Sequence, residues 1–163
     1  MRVRRIQPHE GERLRAVRLR ALAGAPEAFG STLAEALAIP AEAWTRRARE
    51  CADSPRTALF FAEHDGATVG LAGGYFEADD PVPSLISMWV EPPVRGRGGG
   101  EALVEAVAAW AREAGATRLQ LWVTETNAPA VALYTRLGFA DTEDTQPLPS
   151  NPALRERRMV RGL

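Results

Sequence analysis

Ser84-Leu85-Ile86-Ser87-Met88-Trp89-Val90-Glu91-Pro92-Pro93-Val94-Arg95-Gly96-Arg97-Gly98-Gly99-Gly100 is the stretch from which the fold is read. Ser84 to Val90 is a nearly continuous apolar run, the pattern expected of a strand buried on both faces. The glycine-rich turn Gly96 to Gly100 leads into a helix from Glu101 to Ala114, with Leu103, Val107, Trp110 and Ala114 at i, i+4, i+7 and i+11. A helix N-terminus exposes unpaired N–H groups and a partial positive charge. Glycines let an anion come close to those groups, so the turn reads as a phosphate or pyrophosphate cradle. Arg95 and Arg97 add positive charge at its mouth.

Two familiar glycine loops do not fit. A nucleoside-triphosphate loop needs a Gly-Lys-Ser/Thr ending, and this turn has neither the lysine nor the hydroxyl. A dinucleotide fold puts its glycines after the first strand, with an acidic residue about 20 positions further on. Here the turn lies past the middle of the chain, Glu113 is inside the helix, and Glu125 comes too late.

Working outward, Arg2 to Ile6 is a weak first strand, and Pro8 to Ala23 a helix ended by Gly24-Ala25-Pro26. Phe29 to Ile39 has no clear period, and Pro40 opens a second helix through Cys51. Thr57 to Glu63 and Thr68 to Phe76 flank the turn signal His64-Asp65-Gly66 and read as a hairpin, followed by the acidic, proline-bearing loop Glu77 to Pro83. After the central helix come a strand at Arg118 to Val123, a helix at Pro129 to Leu137, a strand at Phe139 to Thr145, a loop at Pro147 to Pro152, and a last strand at Arg155 to Leu163. No repeat or linker interrupts this order. It predicts a single α/β domain over residues 1–163, with a mixed, mostly antiparallel sheet and helices on both faces.

Composition narrows the functional classes. Twenty Arg and no Lys face 21 acidic residues, a net charge of -1, which gives no general attraction for nucleic acid or an anionic membrane. The single cysteine, Cys51, excludes an internal disulfide and a cysteine metal cluster, and no metal is expected. Arg2 to Ile6 has no apolar segment behind it as a signal peptide would, and no run is long enough to span a bilayer, so a cytoplasmic location is expected.

A second segment gives the glycine turn its meaning. Arg95-x-x-Gly98-x-Gly100, followed by Asn127-x-x-Ala130-x-x-Leu133-Tyr134-x-x-Leu137-Gly138-Phe139, resembles the GNAT superfamily of N-acetyltransferases. The likeness is tight over Ser84 to Phe139 and rests on element order elsewhere, where Glu156-Arg157-Arg158-Met159-Val160 is similar to the family's closing strand. The resemblance implies acetyl-CoA as cosubstrate, with no metal, and direct sequential transfer to an amine. It implies strands 84–90 and 118–123 splayed around the pantetheine arm. Met88, Trp89 and Val90 would then offer backbone groups. Arg95, Gly96, Arg97, Gly98, Gly99 and Gly100 would hold the pyrophosphate, and Asn127, Ala130 and Tyr134 would contact the cofactor further along.

By the same resemblance Tyr134 is the catalytic candidate, a phenol that donates to the departing thiolate sulfur. The two places where relatives carry a glutamate base are Ser84 and Trp122 here. Glu77, Asp79, Asp80, Glu91 and Glu125 remain as alternatives. Cys51 lies outside the matched motifs, so no acetyl-cysteine intermediate is expected. Family members shape the acceptor site from the first helices and the last strand pair, here Ala25 to Thr32, Trp44 and the Leu148–Leu154 loop. Phe29, Trp44 and Tyr75 are the candidate aromatic contacts. The expected partner is a small-molecule or peptide amine, and a homodimer is allowed for. A protein amino-terminal acetyltransferase and a non-catalytic acetyl-CoA sensor stand as alternatives.

Overall fold

Alternation along the hairpin at residues 57–75 separates two cores: Leu59 and Phe61 point to one face of the sheet, Ala58 and Ala62 to the other. The computed structural model describes Met1–Leu163. In chain order the elements are β1 (Arg2–Arg5), α1 (Gly11–Gly24), a 3-10 turn (Pro26–Ala28), α2 (Leu33–Leu37), α3 (Ala41–Asp53), β2 (Thr57–His64), β3 (Ala67–Tyr75) and β4 (Ser84–Val90). A second 3-10 turn (Pro92–Val94) precedes α4 (Gly99–Glu113), β5 (Arg118–Thr124), α5 (Ala128–Arg136), β6 (Ala140–Leu148) and β7 (Asn151–Gly162). The strands form one seven-stranded sheet in the order β1-β2-β3-β4-β5-β7-β6. Every neighbouring pair is antiparallel except β4 and β5, which run parallel. Helices cover both faces, α4 on one and α1 to α3 on the other.

The larger core packs Leu103, Val104, Val107 and Trp110 of α4 on Ala58, Ala62, Ala72 and Leu85 of the sheet. Small residues on β3 let the helix lie close. A Cβ at Gly74 would come within 2.5 Å of the Trp110 ring. Gly74→Ala is therefore expected to destabilise the protein by about 1–3 kcal/mol, the usual cost of overpacking. Chemical denaturation reads this directly, and an unchanged midpoint would mean that α4 retreats freely.

Four sequence expectations change. Helix α1 starts at Gly11 rather than Pro8, because the Glu10 carboxylate accepts from Gln7 N at 2.9 Å and from Arg4 at 2.8 Å. The uncertain segment contains α2, opened by a capping box between Thr32 and Glu35. Strands β6 and β7 run through the expected Pro147–Pro152 loop and leave only Pro149-Ser150 between them. Pro147 is tolerated there because β6 is the outermost strand. Finally, β4 is not buried on both faces throughout. Ile86 is 41% exposed, because the middle of the strand borders an open cleft.

Candidate active site

Strands β4 and β5 pair only at Ser84–Gln120 and Leu85–Leu121 and part beyond that point. The departure coincides with a β-bulge. Leu71 pairs with Trp89 and Gly73 with Ile86, so Ser87 and Met88 together oppose Ala72. Ser87 takes φ 57°, a left-handed conformation uncommon for a residue with a Cβ. The splay opens a cleft of about 550 Å³.

The glycine turn forms one wall. Gly98, at φ +81°, is the N-cap of α4, and no side chain caps that helix. Gly96, Gly98, Gly99 and Gly100 line the cleft, and the first-turn N–H groups of α4 are left for an anion. An added Cβ at Gly98 would meet nothing within 4 Å, so a side chain there would project into open space while straining the backbone. Arg95 lines the cleft, and its Nε donates to the Val90 carbonyl at 2.8 Å. The side chain thus fastens the turn to the end of β4 as well as adding charge. Arg97 does not line the cleft. Its guanidinium meets His64 Nε2 at 3.3 Å on the outer surface.

Opposite the turn, α5 supplies Asn127, Ala130 and Tyr134. Asn127 Oδ1 accepts from Ala130 N at 3.3 Å and caps α5. Tyr134 is 6% exposed and stacks edge-on against Phe139, with ring centroids 5.7 Å apart. Burial alone pushes its phenol well above the ordinary tyrosine value, with no charge or hydrogen bond contributing. It is a neutral donor throughout the physiological range.

Met88, Trp89 and Val90 line the cleft from β4, although the Trp89 indole is turned into the core under α1 and α3. Three other expected contacts lie elsewhere. Phe29 and Trp44 are each 3% exposed and pack in that same core, Phe29 from the residue that follows the 3-10 turn and Trp44 from the inward face of α3. Tyr75 ends β3 away from the cleft, where burial and the nearby Glu77 and Asp80 raise its phenol. None of the three lines the cleft.

The carboxylates are also redistributed. Glu77, Asp79, Asp80, Glu91 and Glu125 all lie off the cleft. Glu91 pairs with Arg20 at 3.6 Å, Glu125 with Arg157 at 3.3 Å, and Asp80 accepts from Gln120 at 3.1 Å. Two other carboxylates, Glu27 and Glu101, line it instead. Glu27 sits on the 3-10 turn after α1, held to the end of β5 by Thr124 Oγ1, which donates to the Glu27 carbonyl at 2.6 Å. Ser150, between β6 and β7, donates to the Phe29 carbonyl. The α1–α2 connection and the β6–β7 turn, far apart in sequence, therefore meet beside the cleft. Nothing local in the sequence marks Glu27, because its position depends on those long-range bonds. Cys51 is outside the cleft on α3, its thiol pushed up by burial.

The geometry is that of a sheet opened at its parallel neighbours, with an uncapped, glycine-lined helix start in the opening. A model of the acetyltransferase (GNAT) family matches residues 17–139, and the chain belongs to that family. It is 41% identical over 76 residues to streptothricin acetyltransferase of Streptomyces lavendulae, covering 47% of this chain and 40% of that protein. It is 33% identical over 120 residues to mycothiol acetyltransferase of Thermomonospora curvata, covering 74% of this chain and 37% of that one. The chain thus spans well under two thirds of the length of these relatives. Among solved structures, the acetyltransferase of the GNAT family from Streptococcus pneumoniae superposes with a TM-score of 0.82 at 20% identity, covering 99% of this chain and 98% of that one. No helix is long and apolar enough to cross a membrane.

Proposed function

We propose that the chain transfers an acetyl group directly from acetyl-CoA to a primary amine of a small molecule. The observation that carries this is one cleft bounded by both the uncapped start of α4 and the buried, neutral Tyr134. The N–H groups of Gly99, Gly100 and Glu101 suit the cosubstrate's pyrophosphate, with Arg95 beside them. Backbone groups of Met88 and Val90 suit the pantetheine amides. The amine lone pair attacks the thioester carbonyl, a C–N bond forms, and the C–S bond breaks. Tyr134 donates its hydroxyl proton to the departing sulfur, the proton lost by the amine leaves to solvent, and solvent returns a proton to the Tyr134 phenolate to complete the cycle. The position of Cys51 outside the cleft favours direct transfer over an acyl-enzyme. The relatives named streptothricin acetyltransferase and mycothiol acetyltransferase, each named for a small molecule, support a small-molecule acceptor.

The test is thiol release from acetyl-CoA with a panel of free amines, antibiotics and amino-terminal peptides. Amine-dependent release supports the reading, whereas binding of acetyl-CoA with no release for any amine favours a sensor. The cradle is tested by Gly98→Val and the milder Gly98→Ala. Either is expected to weaken acetyl-CoA binding roughly tenfold or more, as backbone donors to an anion are displaced. The left-handed backbone of Gly98 adds a stability loss of about 1–2 kcal/mol. Unchanged calorimetric affinity in a folded variant would remove the turn from the binding site.

A further inference from the structure

Two large apolar side chains are left uncovered on the central strands, and both line the cleft. Ile86 of β4 is 41% exposed, and Trp122 of β5 is half-buried, whereas the other three tryptophans, Trp44, Trp89 and Trp110, are buried. Alternation fixes the side to which they point. Their chain neighbours Leu85, Leu121 and Val123 pack in the core under α4. Ile86 and Trp122 therefore face the opposite side of the sheet, the side of α1 to α3. Neither belongs to the core there. The register also sets them level. Ser84–Gln120 and Leu85–Leu121 are the pairs at which β4 and β5 still meet, so Ile86 and Trp122 are the first residues on either lip of the opening.

Their exposure has a local cause. The cross-strand neighbour of Ile86 on β3 is Gly73, which has no side chain to cover it. The neighbour of Trp122 on β7 is Arg158, whose guanidinium is held by Asp144 at 2.6 Å. Apolar surface kept in water is unfavourable, and gathered inside a cleft it marks a ligand site. The cosubstrate approaches from the other side, since Val104 of α4 and Tyr134 of α5 both pack in the core under α4. One carboxylate stands with the apolar pair. Glu27 is held at Thr124, two residues beyond Trp122 on the same strand face, while the other cleft carboxylate, Glu101, belongs to α4. Glu156, opposite Thr124 on β7, lies off the cleft and accepts from Gln146 at 2.6 Å. This side of the opening thus offers an apolar floor and a single anion.

We propose that the preferred acceptor is a primary monoamine with an apolar body, an arylalkylamine or a longer alkylamine, whose hydrocarbon lies on Ile86 and Trp122. Its amine, beside Glu27, reaches the thioester through the opening. This rests on the transfer reading above and commits it to one class of amine. A hydroxyl or a second ammonium group placed against Ile86 and Trp122 would lose water and find no acceptor there, since an indole N–H only donates. Polyhydroxylated amines and polyamines are therefore disfavoured.

The experiment measures thiol release with the alkylamines from propylamine to hexylamine, with phenethylamine, and with ethanolamine and spermidine. Each rate is corrected for the neutral fraction of its amine. Along the alkyl series kcat/KM is expected to rise about fourfold per methylene, the scale of moving one CH₂ out of water, and phenethylamine to exceed ethanolamine roughly tenfold or more. Ile86→Thr and Trp122→Ala should each flatten the rise and lower the phenethylamine-to-ethanolamine ratio about threefold or more. A fall in rate for all amines alike, with that ratio unchanged, overturns the proposal, as does a preference for ethanolamine or spermidine. A dimer that Ile86→Thr dissociates, with no preference among amines, gives the face to a second copy and overturns it too. If Trp122→Ala does not fold, Ile86→Thr decides alone, because that side chain is already 41% exposed. If no amine releases thiol, the transfer reading fails, and calorimetry with N-acetylphenethylamine and N-acetylethanolamine in the presence of CoA reads the floor without turnover. Tighter binding of the former that is lost in Ile86→Thr supports the apolar floor, and no such difference overturns it.

Discussion

Tyr134→Phe is expected to lower kcat by roughly 10²-fold or more, within the range attributed to a positioned general acid. The expectation follows from how this tyrosine is held. Its ring is packed on Phe139 and 6% exposed, so phenylalanine occupies the same place without a cavity. No charge or hydrogen bond contributes to its shifted pKa, so loss of the hydroxyl strands no buried partner. Stability and acetyl-CoA affinity should therefore barely move. What disappears is a neutral donor beside a thiolate whose charge develops only as the C–S bond breaks. That interaction is stronger in the transition state than in the ground state, and its loss appears in kcat rather than in binding. Steady-state rates, calorimetric affinity and a melting curve on one preparation separate these effects. Near-normal turnover would leave Tyr134 as a packing residue that fixes α5 on the sheet.

The parts that were legible in the sequence share a physical cause. The apolar run Ser84–Val90, the glycine turn and the periodic face of α4 are each set by neighbours in the chain, and strand and helix start within two residues of where the pattern puts them. The β2–β3 hairpin is legible for the same reason, since its turn residues and alternation are local. The bulge at Ser87 was not. Its left-handed backbone is fixed by the register of β3 and by Arg18 from α1, neither of which a strand pattern records. The placement of the aromatic candidates was not legible either, because Phe29 and Trp44 are as apolar as cleft residues but face the core. Helix α2 did carry a local signal, the Thr32 and Glu35 capping box, short enough to be lost among alanines. The cleft carboxylates were hidden most completely. Glu27 looks like any loop glutamate until the Thr124 and Ser150 contacts bring its segment beside β5 and the β6–β7 turn.

For an acceptor alkylamine, kcat/KM is expected to climb about tenfold per pH unit from pH 7 toward the acceptor's own pKa, near 10 for a free alkylamine. Only the neutral amine has the lone pair that attacks. The positions where relatives place a glutamate base hold Ser84 and Trp122, and the five carboxylates that sequence suggested lie off the cleft. With no dedicated base, the rising limb belongs to the substrate, so two acceptors of different pKa should give limbs displaced by that difference. The upper end is set differently from a simple tyrosine expectation. A phenol with an ordinary pKa would begin to ionise near 10 and bend the profile down. Burial raises Tyr134 above that, so the donor stays protonated and the profile should level off on the amine alone. Glu27 is the residue able to upset this account, because it is a carboxylate on the cleft. As an anion facing a cationic amine, it should act on binding, so Glu27→Gln should raise the acceptor KM and leave the limb in place. The decisive measurement is the profile from pH 6.5 to 10 for two acceptors, in the wild type and in Glu27→Gln. A limb common to both acceptors that vanishes with Glu27 would make Glu27 the base and transfer the pH dependence from the substrate to the enzyme.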